Sequence, residues 1–200
     1  MSFGEITLTG RHVRLEPLRA SHAPALLEGL ATPEDWTHYA YERIADLADA
    51  EAFIDAAMRS AADGTEHPFA IVQLASGKVA GTTRFKDLRA PHFGLEIGST
   101  WVGMAFQRTP VNTECKLLML THAFEAMEMQ RVQFRTDVRN QVSQRALERL
   151  GAVREAVLRG YAYGPLPGEM RDLMMYSITA SEWPAVRDRL QAKLDEPRNQ

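Results

Sequence analysis

Residues 95–112 read LEIGSTWVGMAFQRTPVN, and residues 131–151 read RVQFRTDVRNQVSQRALERLG. In each, a β-rich run feeds a turn and then a helix. Leu95 to Val102 is a strand, Gln107 to Asn112 a turn, and Val111 to Met127 an amphipathic helix. Arg131 to Val138 alternates, with Val132, Phe134, Thr136 and Val138 on one face and Arg131, Gln133, Arg135 and Asp137 on the other. That predicts a half-buried strand. Asn140 to Ser143 opens a helix over Gln144 to Leu150, and Gly151 suits its C-terminal end. The first N–H groups of a helix have no internal partner, and the helix dipole favours negative charge there. Such a segment suits a phosphorylated ligand. Pro110 sits awkwardly in it, because proline has no N–H to offer.

The remaining chain supplies a mixed α/β (α+β) set of elements. Thr7 to Leu18 alternates as a strand that Pro17 ends. Ser21 caps a helix through Leu30, with Pro24 in its first turn, and Thr32-Pro33-Glu34-Asp35 is a second helix start. Asp46 to Ala62 is a longer helix with Leu47, Ala50, Phe53, Ile54, Ala57 and Met58 on one face, ended by Asp63-Gly64. Phe69 to Leu74 and Val79 to Phe85 form a hairpin across Ala75 to Lys78. Ala156 to Tyr163 and Asp172 to Ile178 are closing strands. Glu182 to Leu194 is a last helix capped by Ser181, and a polar tail begins at about residue 195. One domain over residues 1–200, with one sheet and helices on its faces, follows.

Composition excludes several classes. The chain has 200 residues, 45% of them hydrophobic, and a net charge of −3, so it can bury a large core and carries no basic bias toward nucleic acid. A single cysteine, Cys115, rules out an internal disulfide and a multi-cysteine zinc site. Six scattered histidines show no ligand spacing, so no metal is expected. No apolar run reaches the ~18 residues of a membrane span, and the N-terminus lacks the pattern of a signal peptide. The expected location is cytoplasmic.

Several ordered motifs resemble the GNAT acetyltransferase superfamily, especially its Rim-type branch, whose founding members acetylate ribosomal-protein N-termini. They are Glu96-Ile97-Gly98, Trp101, Gln107-Arg108-Thr109-x-Val111-Asn112-Thr113-Glu114-x-Lys116, Asp137-Val138-Arg139-Asn140-x-x-Ser143 and Leu150-Gly151-Ala152. Arg11 to Leu18 is similar to the branch's opening strand, and Glu182 to Arg187 to its closing helix. The resemblance implies a mostly antiparallel sheet that splays between its fourth and fifth strands, with acetyl-CoA in the splay and no metal. The pantetheine arm would run along Leu95 to Val102, by way of Thr100, Trp101 and Val102. The pyrophosphate would sit on the turn of Gln107, Arg108, Thr109, Val111, Asn112 and Thr113. Transfer would be direct, to a small amine or a protein N-terminus, in a ternary complex. Relatives are often dimers, which makes a homodimer the expectation by analogy.

The resemblance also implies site residues, and each has a plainer structural reading. Asn140 would bond pantetheine, and Ser143 would relay a proton to the CoA sulfur; otherwise Asn140 caps a helix whose third residue is Ser143. Glu96 resembles an acid used as general base through water; otherwise it pairs with an arginine such as Arg84. Asp137 is a weaker base candidate, or a surface partner of Arg135. Trp36, His38 and Tyr39, with Arg84, Phe85 and His92, could shape the acceptor pocket; otherwise the aromatics pack in the core. Cys115, Trp101 and Trp183 read as core, as do Met170, Met174 and Met175 ahead of a subunit contact. Many relatives have a tyrosine acid four residues after the Ser143 position, where this chain has Leu147. With Pro110 and Asn112, Leu147 keeps open a second class: a GNAT-fold acyl-CoA or partner binder with weakened catalysis.

Overall fold

The computed structural model describes residues 6–29, 44–164 and 168–196. Trp36, His38, Tyr39 and the helix start at Thr32 lie outside the described residues. Eight strands form one sheet: β1 (Leu8–Thr9), β2 (Val13–Pro17), β3 (Glu66–Gln73), β4 (Val79–Arg89), β5 (Gly94–Val102), β6 (Arg131–Asp137), β7 (Val153–Tyr163) and β8 (Met170–Thr179). Their order is β1-β2-β3-β4-β5-β6-β8-β7, and β5/β6 is the parallel pair in an otherwise antiparallel sheet. The helices are α1 (Ala23–Gly29), α2 (Leu47–Ala62), α3 (Pro110–Thr121), α4 (Gln141–Leu150) and α5 (Trp183–Asp195).

Helices cover both faces. Val111, Cys115 and Met119 of α3, Leu147 and Leu150 of α4, and Trp183, Val186 and Leu190 of α5 share a core with Phe69, Phe85, Leu95, Ile97, Val132, Phe134 and Tyr176. On the other face Leu26 of α1 and Ala50, Ile54 and Ala57 of α2 pack with Ala70 and Trp101. Successive strand residues point to opposite faces, so neighbours such as Phe69 and Ala70 join different cores. No helix of the described residues is long and apolar enough to cross a membrane.

Several expectations are corrected. The single strand over Thr7 to Leu18 is two strands joined by a turn at Gly10. That turn is held by Glu114 of α3, whose carboxylate accepts N–H bonds from Arg11, His12 and Val13 at 2.8, 2.6 and 2.7 Å. The buried stripe of α2 is narrower than its sequence face, and Leu47 and Met58 are exposed. The helix over Val111 to Met127 changes to one π-type turn at His122–Ala126. Ser181 does not cap α5. The N-cap is Glu182, whose Oε2 accepts from both the N–H and the hydroxyl of Thr179 at 2.8 Å and ties the helix start to the end of β8. β6 is buried on both faces, Gln133 and Asp137 included, because it is an interior strand flanked by β5 and β8.

Candidate active site

Strands β5 and β6 pair only at Gly94–Arg131, Leu95–Val132 and Glu96–Gln133. Beyond that point β5 continues against β4, and β6 against β8. The two parallel strands therefore part, and the wedge opens toward their C-terminal ends. Among the described residues no strand pairs with the β6-facing edge of β5 from Ile97 to Val102. An extended ligand carrying amide groups can complete such an edge. Helix α3 follows β5 and α4 follows β6, so both helix N-termini stand at the mouth of the wedge. Ligands of open α/β sheets bind in this kind of crevice, outside the carboxyl ends of parallel strands.

The wall of the wedge is bulged. Arg84 pairs with Gly98, but Thr82 pairs with Trp101, so β5 carries one extra residue over that step. Ser99 takes the left-handed conformation there, at φ 48°. A bulge increases local twist and re-aims the residues beside it. Thr100 lies next to it, and its hydroxyl meets Thr83 Oγ1 at 2.8 Å and Lys116 Nζ at 2.6 Å. Trp101 points to the opposite face and packs in the core with α1 and α2. The carbonyl of Val102 accepts from Gln107 Nε2 at 3.3 Å.

The start of α3 is well made. Thr109 is the N-cap: its Oγ1 donates to the Phe106 carbonyl at 2.5 Å and accepts from Val111 N–H at 3.4 Å. Pro110 follows in the first turn, where its fixed φ suits the helix. Arg108 is left-handed, at φ 57°. The N–H groups of Arg108 and Thr109 have no acceptor among the described residues, and consecutive free amides around a left-handed residue form a small anion-binding concavity. Asn112 Oδ1 is buried without a partner among the described residues. Thr113 is half-buried, one position further along the same helix. The positions named for a pyrophosphate thus fall on one turn, with donors either side of the proline that has none.

At the mouth's other side Asn140 caps α4, its Oδ1 accepting from Ser143 N–H at 2.9 Å. The Ser143 hydroxyl has no partner among the described residues. Leu147 is buried in the core, so the position of the relatives' tyrosine acid points away from solvent here.

Glu96 lies at the apex, where the strands part, and is 3% exposed. Its partner is not Arg84, as expected, but Arg135, whose Nε donates to Glu96 Oε2. Gln133 Nε2 donates to the same oxygen at 3.4 Å. The reason is register: Lys86, not Arg84, stands opposite Glu96. Arg84 is buried, donates to Glu66 at 2.6 Å and lies over the Phe53 ring at 5.0 Å. Arg135 also donates to Tyr161 Oη at 2.6 Å and sits over that ring. Gly98 keeps space beside the other oxygen of Glu96, since a Cβ there would stand 2.8 Å from Oε1.

Other expectations change. Asp137 is not a surface partner of Arg135. It is buried and accepts from Arg139 Nη2 at 2.8 Å, with Arg171 Nη1 at 3.5 Å. Burial pushes its carboxyl up, but the Arg139 bonds and the Arg171 charge outweigh this and hold it below the usual range. Phe85 faces α3, packed between Phe69 and His122, not the α2 face. His92 is exposed in the β4–β5 turn, at the end of β5 opposite the wedge mouth. Met174 is core, but Met170 is exposed. Cys115 and Trp183 are core, and burial pushes the Cys115 thiol up to about 11. The sequence names Lys116 only within a family-like motif and Arg135 only as a surface partner of Asp137, not for the contacts with Thr100 and Glu96 that they make. A lone cation on an apolar helix face was the available signal for the first.

A mostly antiparallel sheet with one parting parallel pair, a bulged wall and two helix N-termini at the mouth defines an acyltransferase fold of the GNAT class. The family described as "Acetyltransferase (GNAT) domain" matches residues 12–153, and the chain belongs to it. Over 110 residues the chain is 30% identical to "Putative ribosomal N-acetyltransferase YdaF" of Bacillus subtilis, a match covering 55% of this chain and 58% of that protein. The chain thus spans little more than half the length of that curated relative. It is similar to a crystal structure from T. thermophilus described as a "putative acetyltransferase", at 39% identity and a TM-score of 0.87, over 97% of this chain and 99% of that one. It shares its fold with "Mycobacterium smegmatis RimJ in complex with CoA-disulfide", at 20% identity and a TM-score of 0.79, over 95% of each chain.

Proposed function

We propose that this chain is an acetyl-CoA-dependent N-acetyltransferase that passes the acetyl group directly to a primary amine, a protein N-terminus or a small amine. The observation that carries the reading is the wedge: a β5 edge that β6 leaves after Glu96, ending at the amides of Arg108 and Thr109, which have no acceptor among the described residues. An extended donor with amides along its arm and phosphate at its end matches that order of groups. The CoA complex of the related fold and the ribosomal N-acetyltransferase description of the curated relative support the donor and a protein acceptor.

Acetyl-CoA supplies an activated thioester carbonyl. The chain must then accept the amine's proton, steady the oxyanion and return a proton to sulfur. The bulge at Ser99 and Thr100 takes β5 backbone out of ladder register beside the wedge, where oxyanion donors are needed. Glu96 is the candidate proton acceptor, through its Oε1 beside Gly98, while Arg135 and Gln133 hold Oε2. Asn140 has its carbonyl committed to the α4 cap, which leaves its amide NH2 for the donor's arm. The Ser143 hydroxyl is free to donate to the thiolate. Of the positions named for the acceptor, Glu96 stands in this site; Arg84 is tied to Glu66, and Trp36 lies outside the described residues.

A second reading, a CoA or partner binder with weakened catalysis, draws on Pro110 and on Leu147, whose burial removes the relatives' acid position. Calorimetry with acetyl-CoA, followed by thiol release with a panel of amines and N-terminal peptides, separates the two. Binding with turnover supports the first reading. Binding without turnover above hydrolysis supports the second, and no binding at millimolar ligand overturns both.

A further inference from the structure

Lys116 lies on α3 with its side chain turned into the sheet, 7% exposed. Its neighbours on that helix, Cys115 and Met119, belong to the core packed on the same strands. Its ammonium has no carboxylate partner among the described residues, and burial pushes its pKa down. It donates to Thr100 Oγ1 at 2.6 Å and reaches Thr83 Oγ1 at 3.5 Å. The two hydroxyls also meet each other at 2.8 Å. A buried ammonium without an anion is costly to keep, and a methionine of similar length would fill the same space. A buried Lys116 therefore asks for a reason other than stability.

Thr83 and Thr100 supply one. They flank the step at which β4 and β5 lose register: Thr83 is the β4 residue between the Thr82 and Arg84 pairs, and Thr100 follows left-handed Ser99 on the bulged strand. The register shift takes that step out of the regular β4–β5 ladder. The triangle of Lys116, Thr83 and Thr100 clamps that step from the core side, with α3 as its rigid base.

We infer that Lys116 is a positioning residue, which fixes the β5 bulge through Thr100 and so sets the backbone that faces the reacting carbonyl. The link to catalysis rests on the acetyltransfer reading; the link to the bulge does not. A misplacement of about 1 Å at such a site costs roughly a hundredfold in rate while leaving remote binding contacts intact.

The test uses Lys116→Met and, as a second variant that removes only one hydroxyl, Thr100→Val. Hydrogen exchange of the amides at residues 99–102, without ligand, is read first. Both variants are expected to speed exchange there tenfold or more, with α3 and α5 amides unchanged. Unchanged protection at 99–102 in both variants overturns the clamp, whatever the activity. Steady-state kinetics and acetyl-CoA calorimetry are read second. Both variants are expected to lower kcat at least tenfold, with Kd for acetyl-CoA within about threefold of the parent. The double variant is expected to be no slower than the worse single one, because both break the same clamp. An unchanged kcat, or losses that multiply in the double variant, overturns the positioning role. A parent protein that binds no acetyl-CoA sinks the acetyltransfer reading alone, since the exchange result still decides the clamp.

Discussion

The carboxylate of Glu114 occupies the space that a side chain on Gly10 would need: a Cβ at Gly10 would stand 2.5 Å from Glu114 Cδ. The same carboxylate accepts the N–H groups of Arg11, His12 and Val13. One acid thus joins the helix that opens the wedge to the first turn of the sheet. Glu114→Ala strands three donors, one of them fully buried, and is expected to cost about 3 kcal/mol in urea unfolding. Glu114→Gln keeps one acceptor atom and should cost less. Gly10→Ala forces the carboxylate aside and is expected to fall between them. A cost under about 0.5 kcal/mol for Glu114→Ala would show that the turn is held by its own backbone bond.

Ser143 and the donor's sulfur can be separated from simple capping. The cap at α4 uses the Asn140 side chain and the Ser143 backbone, not the Ser143 hydroxyl. Ser143→Ala should therefore leave the melting temperature within about a degree. If the hydroxyl returns a proton to sulfur, kcat should fall roughly tenfold to a hundredfold while Kd for acetyl-CoA stays within about twofold. A kcat equal to that of the parent would assign the proton to water.

How far the sequence could be read depended on whether neighbours along the chain or neighbours in space decided the matter. The capped start of α3, with Thr109 before Pro110, is local chemistry, and it stands as the sequence implies. The left-handed Gly151 after α4 also stands as the sequence implies, whereas Asp46, which the sequence reading places within the helix, is the N-cap of α2. The GNAT resemblance likewise leads to the family the chain belongs to. Partners across strands were not legible. Glu96 pairs with Arg135 rather than Arg84 because the register of β4 on β5, bulge included, sets which cation faces it. Asp137 looked like a surface residue because alternation marks one face as polar, and only the interior place of β6 buries both. Glu114 and Lys116 enter the sequence reading only as members of a family-like motif, and the hydrogen-bonding groups they meet lie far along the chain, where local pattern says nothing of them.

Asp137 gives the fold an acid limit. Its folded pKa lies below the ordinary value of 3.8, so its contribution is fully present above that value. The contribution is lost as pH falls through the folded pKa, when the carboxylate between Arg139 and Arg171 takes a proton. Asp137→Asn should be about 3 kcal/mol less stable than the parent near pH 6, as expected when one partner of a buried pair is removed. Urea unfolding from about pH 6 to about pH 2.5 should show the two proteins converging as the pH drops below 3.8. A gap independent of pH would place the loss in packing, not in charge.

Cys115 should be chemically silent in the folded state. Burial against the sheet pushes its thiol up to about 11, and the thiolate is the reactive form. Labelling with a thiol reagent at about pH 8 should proceed only through unfolding and should follow the urea transition. Cys115→Ala should lose stability by about 1 kcal/mol for the small cavity it leaves, with acetyl-CoA affinity unchanged. Fast labelling of the native protein would place the thiol on an open path into the wedge.

Pro110 sets two effects against each other at the end of the wedge where the phosphates of the proposed donor would lie. It removes one donor from the first turn of α3, yet its fixed φ and the Thr109 cap start the helix well. A charge-assisted hydrogen bond to phosphate is worth about 1.5–3 kcal/mol. Pro110→Gly restores that N–H and clears the ring, at a cost in helix stability of well under that amount, since the first position is the least sensitive to glycine. The donor term should win. Calorimetry is expected to show acetyl-CoA binding tightened roughly tenfold, with dephospho and adenosine-free analogues separating the phosphate contribution from the arm. Pro110→Ala restores the N–H without glycine's freedom and should tighten binding by about as much or more. If neither variant tightens binding, the pyrophosphate is held by the amides of Arg108 and Thr109 ahead of the proline, and the missing donor never faced it.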